Sequence, residues 1–171
     1  TIVYWYIIVY QYILYTKCRY FWLLSKNKFI MILITGATGH LGGAVMKHLL
    51  KKLQPNKIAA LVRSEEKAAS LKELGVEVRY GSYDDTSSLD KAMKDVEKVL
   101  LISGLDPNRL EQHKNVVEAA SKAGVKYIAY TSVSMKDEAN AVNSFMLSHF
   151  ETEAYIKQSG LKYSILRNTL Y

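Results

Sequence analysis

Residues 31–45 read Met-Ile-Leu-Ile-Thr-Gly-Ala-Thr-Gly-His-Leu-Gly-Gly-Ala-Val. The apolar run Ile32 to Ile34 reads as a buried strand. It enters a turn in which Gly36, Gly39 and Gly42 stand three apart. Leu41, Val45, Leu49 and Leu50 then recur at helical spacing, which predicts a helix over 41–53 that ends before Pro55. Strand, glycine turn and helix N-terminus in that order make an anion site. The first-turn N–H groups have no partner inside the helix, and the helix dipole favours negative charge. Gly36 allows the tight turn, Gly39 lets a pyrophosphate approach the backbone, and Gly42 lets the helix lie close to the strand. The pattern predicts a dinucleotide cradle over Gly36, Ala37, Thr38, Gly39, His40, Leu41 and Gly42. The plainer alternative is a glycine turn that binds nothing.

Beyond this unit the chain alternates strand-like and helical stretches. Strands are predicted over 57–62, 76–80, 96–102, 125–131 and 161–166. The run after Lys98 is wholly apolar, which marks a central, parallel strand. Helices are predicted over 65–74, closed by Gly75; from an Asp85 N-cap through Leu89, Ala92 and Met93; over 109–123, closed by Gly124; and over 146–158, closing at Gly160. Strands separated by helices imply an α/β fold, a doubly wound parallel sheet with helices on both faces. Ligands in such sheets bind beyond the carboxyl ends of the strands, so the turns that matter are 36–42, 63–64, 81–85, 103–108, 131–135 and 167–171.

The end of the second strand selects among dinucleotides. An acid there would bind the adenosine ribose hydroxyls and repel a 2′-phosphate. This chain has Arg63 and Ser64 instead, a permanently charged planar fork and a second donor, which favours NADP(H) over NAD(H). A solvated arginine with no ligand is the alternative. Thr131 and Ser132 end the fifth strand where hydroxyls could face a nicotinamide, and Ser103 ends the fourth near the path of ribose and phosphates. Ser and Thr are also common strand-end residues. His149 and Glu153 stand four apart on one helix face, and a histidine there could exchange protons at neutral pH; an exposed surface pair is the alternative. No third ligand accompanies them, so no metal site is expected.

The formal charge of +7 is concentrated at one end. Residues 1–30 carry Lys17, Arg19, Lys26 and Lys28 and no acid, so residues 31–171 carry only +3. No basic stripe with interleaved aromatics is present, which argues against a nucleic-acid partner. Cys18 is the only cysteine, excluding an intrachain disulfide and fitting a reducing, cytoplasmic setting. Residues 1–30 also hold both tryptophans and six of the 13 tyrosines. Their apolar runs are too interrupted for the roughly 20 apolar residues of a membrane span. Three readings stay open: a weak membrane or interfacial anchor, a signal peptide lacking a basic start and cleavage site, or an over-extended reading frame ahead of Met31. Membrane contact is expected only under the first, and nothing in the sequence sets the oligomeric state.

Several stretches together resemble a known family. Gly36-Ala37-Thr38-Gly39-His40-Leu41-Gly42 is similar to the phosphate loop of atypical short-chain dehydrogenases. Leu61-Val62-Arg63, Gln112 to Ala120, Gly124 to Ser132 and Leu166-Arg167-Asn168 add to it. Residues 31–171 resemble the NmrA-like group, most closely its NAD(P)H:quinone oxidoreductase branch, with triphenylmethane reductases nearby. The resemblance implies a Rossmann domain followed by a substrate lobe, most of which lies beyond Tyr171. It implies hydride transfer from NADPH to a quinone or similar planar acceptor, with His149 and Glu153 on the helix that carries a Tyr-Lys pair in classical relatives. Ser82 stands where relatives often carry an acid near the adenine, with Asp84 and Asp85 following. The alternative within the family is a non-catalytic NAD(P)-binding sensor.

Overall fold

The computed structural model describes residues 30–66, 68–134 and 144–169. The chain divides into two compact units, residues 1–30 and 31–171. The second unit contains β1 (Met31–Ile34), α1 (His40–Leu50), a 3₁₀ turn (Pro55–Lys57), β2 (Ile58–Val62), α2 (Ala69–Glu73), β3 (Glu77–Tyr80), α3 (Thr86–Ala92), β4 (Val96–Leu101), α4 (Arg109–Lys122), β5 (Tyr127–Ser134), α5 (Ser144–Gln158) and β6 (Lys162–Thr169). These strands form one parallel sheet in the order β3-β2-β1-β4-β5-β6. The chain moves outward from β1 in one direction, then returns to lay down β4 on its other side. Right-handed crossovers in opposite directions put α1 and α2 on one face and α3, α4 and α5 on the other. The helices α3, α4 and α5 pack side by side.

Burial explains the order. All five residues of β2 are buried, as are five of the six in β4, whereas the edge strands β3 and β6 are largely half-buried or exposed. The core joins Leu33, Leu61, Val99, Leu101, Ile128 and Tyr130 of the sheet to Leu89, Met93, Val116, Val117, Ala120 and Ile156 of the helices.

Three local expectations are corrected. The buried face of α1 is Gly42, Val45, Met46 and Leu49, one position round from the expected stripe, because Gly42 backs onto the phosphate-loop turn. The helix expected over 65–74 is confined to Ala69–Glu73; the chain before it forms a turn closed by Ala68 N–H donating to the Glu65 carbonyl at 2.9 Å. Strands β5 and β6 outrun their apolar stretches because each supplies the other's ladder up to Ser134 opposite Thr169. Among the described residues no helix is long and apolar enough to cross a membrane, and the three readings of residues 1–30 fall outside those residues except at Ile30.

Candidate functional site

The sheet changes winding direction between β1 and β4, and the carboxyl ends of these two strands are tied together. Thr35 Oγ1 donates to the Leu100 carbonyl at 3.2 Å and accepts from Ile102 N–H at 3.0 Å. Gly36 follows with φ +60°, and a Cβ there would sit 3.2 Å from Ile102 Cβ. At Gly42 a Cβ would stand 2.2 Å from the Gly36 carbonyl oxygen and 2.7 Å from Ala37 Cα, so α1 can lie this close to the loop only with glycine. Gly39 differs. It is the N-cap of α1, and a Cβ there would meet only the Gly36 carbonyl oxygen, at 3.4 Å. No side chain caps α1 and its first turn holds no acid. The helix N-terminus keeps its amides and its positive dipole end for an outside anion, which fits a dinucleotide diphosphate. His40 is exposed and Leu41 half-buried. Ala37 and Thr38 also line a cavity of about 420 Å³ between α1 and α2, with Met46, Lys47, Ser70 and Leu71 among its walls.

At the end of β2, Arg63 is exposed and Ser64 half-buried, and no ion pair joins Arg63 to a described acid. Beside it Tyr83 donates to the Ile102 carbonyl at 3.2 Å, bridging the turn after β3 to the end of β4. Burial holds the Tyr83 hydroxyl well above the usual tyrosine range. The acids after β3 are already engaged. Both Asp84 oxygens accept from Gln112 Nε2 at 3.0 Å, and Asp85 caps α3 by accepting Ser88 N–H at 3.1 Å.

The other side of the site is a buried polar layer between α4, α5 and β5. Its hydrogen-bond directions follow from the donors available. Gly104 N–H donates to His113 Nε2 at 3.3 Å, so the His113 proton sits on Nδ1 and is given to Thr152 Oγ1 at 3.1 Å. Thr152 passes its own proton to the Ser148 carbonyl at 2.7 Å. The Tyr130 hydroxyl and His149 Nδ1 share a hydrogen bond at 2.8 Å, in which either can be the donor. Arg109, 1% exposed, donates from Nε to Ser148 Oγ at 2.6 Å and from Nη1 to the Gly104 carbonyl at 3.2 Å. Burial first, then the Arg109 charge, lower the pKa of both histidines, His113 to about 3 and His149 to about 4. The His149 ring is buried rather than part of an exposed surface pair, and at neutral pH it is held neutral. Glu153 accepts from Ser132 Oγ at 2.6 Å and takes a two-pronged contact from Arg167, at 3.0 and 2.7 Å. Burial alone would raise its carboxyl, but the hydrogen bonds from Arg167 and Ser132 outweigh burial and hold it below the usual carboxylate range.

The structure thus brings the glycine loop and Ser103 to one crevice through Ile102, with Arg63 at the end of the neighbouring β2. The strand-end hydroxyls that the sequence aims at a nicotinamide have protein partners: Thr131 Oγ1 accepts from Ser103 N–H at 2.9 Å, and Ser132 is held by Glu153. Sequence reasoning missed Thr35, Tyr83, Arg109, Gln112, His113 and Tyr130. One signal was available. The buried face of α4 is Arg109, Gln112, His113, Val116, Val117, Ala119 and Ala120, an apolar stripe whose first three positions are polar. Among the described residues no three His, Cys, Asp or Glu side chains gather as a metal site.

A doubly wound sheet with an open glycine loop at its switch point defines a Rossmann-type α/β domain. Residues 28–171 match the NmrA-like family, and the chain belongs to it. Quinone oxidoreductase 2 of Escherichia coli (strain K12) is 44% identical over 142 residues, covering 82% of this chain and 49% of that protein. An NmrA-like family domain-containing oxidoreductase of Aspergillus flavus is 37% identical, covering 81% and 47%. Among solved structures, Citrobacter sp. triphenylmethane reductase complexed with NADP(H) superposes with a TM-score of 0.77 at 43% identity, covering 83% of this chain and 50% of that one. The chain spans about half the length of the curated relatives it matches.

Proposed function

We propose that this chain is the NADPH-binding half of an oxidoreductase that passes hydride from NADPH to a quinone or similar planar acceptor. The observation that carries the reading is the pairing of two positive features on neighbouring strand ends: the uncapped, acid-free N-terminus of α1 and the exposed Arg63, which pairs with no described acid. A diphosphate would take the α1 amides, with the backbone of Gly36 to Gly42 as its cradle. Arg63 and Ser64 would take the 2′-phosphate that separates NADP(H) from NAD(H). The two solved relatives of highest interest agree in cofactor: one is complexed with NADP(H), and the E. coli quinone oxidoreductase is described as NADPH-dependent and complexed with NADPH.

The bound dihydronicotinamide supplies the hydride. The chain supplies position and surroundings. Thr35 and Thr131 fix the end of β4, so that Ser103 and Gly104 form a rigid wall. In this reading Thr131 and Ser132 act through Ser103 and Glu153, and the neutral His149 ring braces Tyr130. Reduction of a quinone asks little more, because water can protonate the product oxygens. The neutral, internally bonded His149 equally favours a second reading, a sensor that binds NADPH without turnover. The reading also places the protein in the cytoplasm, where its single cysteine would stay reduced.

Titration of the full chain with NADPH and NADH, beside an Arg63→Ala variant, tests this. NADPH should bind more tightly, and the variant should lose that preference by on the order of tenfold, the size of one charged contact. Equal affinity for both nucleotides would remove the 2′-phosphate assignment. Oxidation of bound NADPH on adding menadione separates the enzyme from the sensor.

A further inference from the structure

Arg109 is an unusual cation. It is 1% exposed, its Nη2 has no hydrogen-bond partner, and no ion pair joins it to a described carboxylate. Among the described residues Arg109 has no counter-charge, and two neutral oxygens and one aromatic face offset only part of the cost of burying it. The aromatic face belongs to Phe145, whose ring centre lies 3.4 Å from the guanidinium carbon. His149 packs against the same ring in a T-shaped contact at 5.7 Å. Phe145 is nevertheless 38% exposed. Next to this pair Arg109 holds the Gly104 carbonyl, and Leu105, one residue further, is 85% exposed.

These groups connect to the crevice already described. Thr35, just before Gly36, accepts from Ile102 N–H; two residues on, Gly104 is held by Arg109; and Arg109 lies under Phe145. A partly exposed aromatic side chain, stacked on a cation that pairs with no described acid, thus lies next to the segment that follows β4. We propose that Phe145 is the stacking platform for the acceptor ring and that Arg109 beneath it stabilises the negative charge the ring gains. This deepens the oxidoreductase reading and rests on it.

The chemistry calls for such a group. A quinone that receives a hydride gains two electrons and one proton and becomes a quinol monoanion, while NADPH becomes NADP⁺. Water then protonates the remaining oxygen. The charge exists only after transfer, so a cation set behind the ring favours the product-like state over the neutral quinone. Stacking on Phe145 places the ring in a defined plane at small cost, because the Arg109 contact already restrains the aromatic side chain. Phe145 is accordingly the residue that selects planar acceptors, and Arg109 tunes their charge.

Two probes separate the two roles: menadione, a neutral naphthoquinone, and lawsone, a hydroxynaphthoquinone that is anionic at neutral pH and resembles the charged product. Calorimetric titration of each into the full chain saturated with NADP⁺ should show lawsone binding several-fold more tightly. Phe145→Leu should weaken both probes by about three- to tenfold, the range of an aromatic stacking contact. Phe145→Trp should restore binding. Arg109→Met should remove the lawsone advantage and leave menadione nearly unchanged. Affinity for NADP⁺ should be the same in all four proteins. Unchanged probe affinity in Phe145→Leu, or no probe binding to the NADP⁺-loaded chain, overturns the platform while leaving the cofactor reading intact. Equal affinity for lawsone and menadione overturns the role of Arg109. Failure of NADP⁺ itself to bind sinks the underlying reading instead. The exposed position of Phe145 keeps the test sound even if Arg109→Met does not fold.

Discussion

Two polar regions flank the same crevice and treat their hydrogen bonds in opposite ways. On the β1–β2 side, Arg63 is exposed and Ser64 half-buried, and α1 has neither a capping side chain nor an acid in its first turn. On the β5–α5 side, His113, Tyr130, His149, Ser132 and Glu153 are buried and bonded to one another. The first arrangement leaves positive potential for a ligand. The second satisfies its groups internally, so its histidines brace the fold. A titratable side chain near a crevice is therefore not a proton carrier by position alone; its partners decide. Arg109 is the member of the second region that keeps an unused donor.

Acid is the strongest way to break this comparison. His113 and His149 are held neutral down to about 3 and 4, whereas unfolded histidines titrate near 6.5. Below about pH 6.5 the unfolded chain binds more protons than the folded one, so stability is full above that pH and falls as pH drops toward 4. Each histidine contributes a slope of up to ~1.4 kcal/mol per pH unit in that window. Glu153, a depressed carboxyl, adds a loss of the same sign at the acid end, below the ordinary glutamate pKa. Urea unfolding between about pH 7 and about pH 5 should show a steep loss with proton uptake on unfolding. A flat profile would mean the histidines are solvated.

Next in size is Glu153→Gln. It removes the charge from a buried carboxylate that holds Ser132, Arg167 and, more distantly, Lys157. Removing one partner of a buried pair costs about 3–5 kcal/mol, and the low end applies here because the Arg167 side chain is 37% exposed. The midpoint of urea unfolding measures it, and a shift within error would place Glu153 among ordinary surface pairs. NADPH affinity should change far less than stability, which is what separates the bracing region from the binding one.

The sequence made the two regions unequally legible. The glycine turn, the Asp85 cap and the alternation of strands and helices rest on neighbours within a few residues or on simple periodicity, so they could be read directly. The bracing region depends on contacts across 39 residues for Arg109–Ser148 and His113–Thr152, and across 21 for Ser132–Glu153. Helical spacing put His149 and Glu153 on one face but could not say that the face was buried. The polar residues at the head of the α4 stripe were the one local sign of a buried network. Ser82 was legible as a departure, yet the use of Asp84 by Gln112 needed the packing of α4 against the turn after β3.

The two smallest effects separate fold from binding within one loop. Gly42→Ala puts a methyl 2.2 Å from the Gly36 carbonyl oxygen, a backbone atom that cannot swing away. Overpacking of this kind costs about 1–3 kcal/mol, so the variant should melt earlier and lose NADPH affinity together. Gly39→Ala places its methyl in ordinary contact with the same oxygen at 3.4 Å, at φ −82°, which alanine adopts freely. Its stability should fall by roughly 0.5–1 kcal/mol, because alanine caps a helix less well than glycine. The methyl nonetheless occupies the side of the loop where a diphosphate must meet the α1 amides. NADPH affinity should drop on the order of tenfold, with the melting curve moved less than in Gly42→Ala. If both variants lose stability in step with affinity, the loop is a rigid structural turn and the cradle lies elsewhere. If Gly39→Ala binds NADPH as the wild type does, the diphosphate does not approach at Gly39.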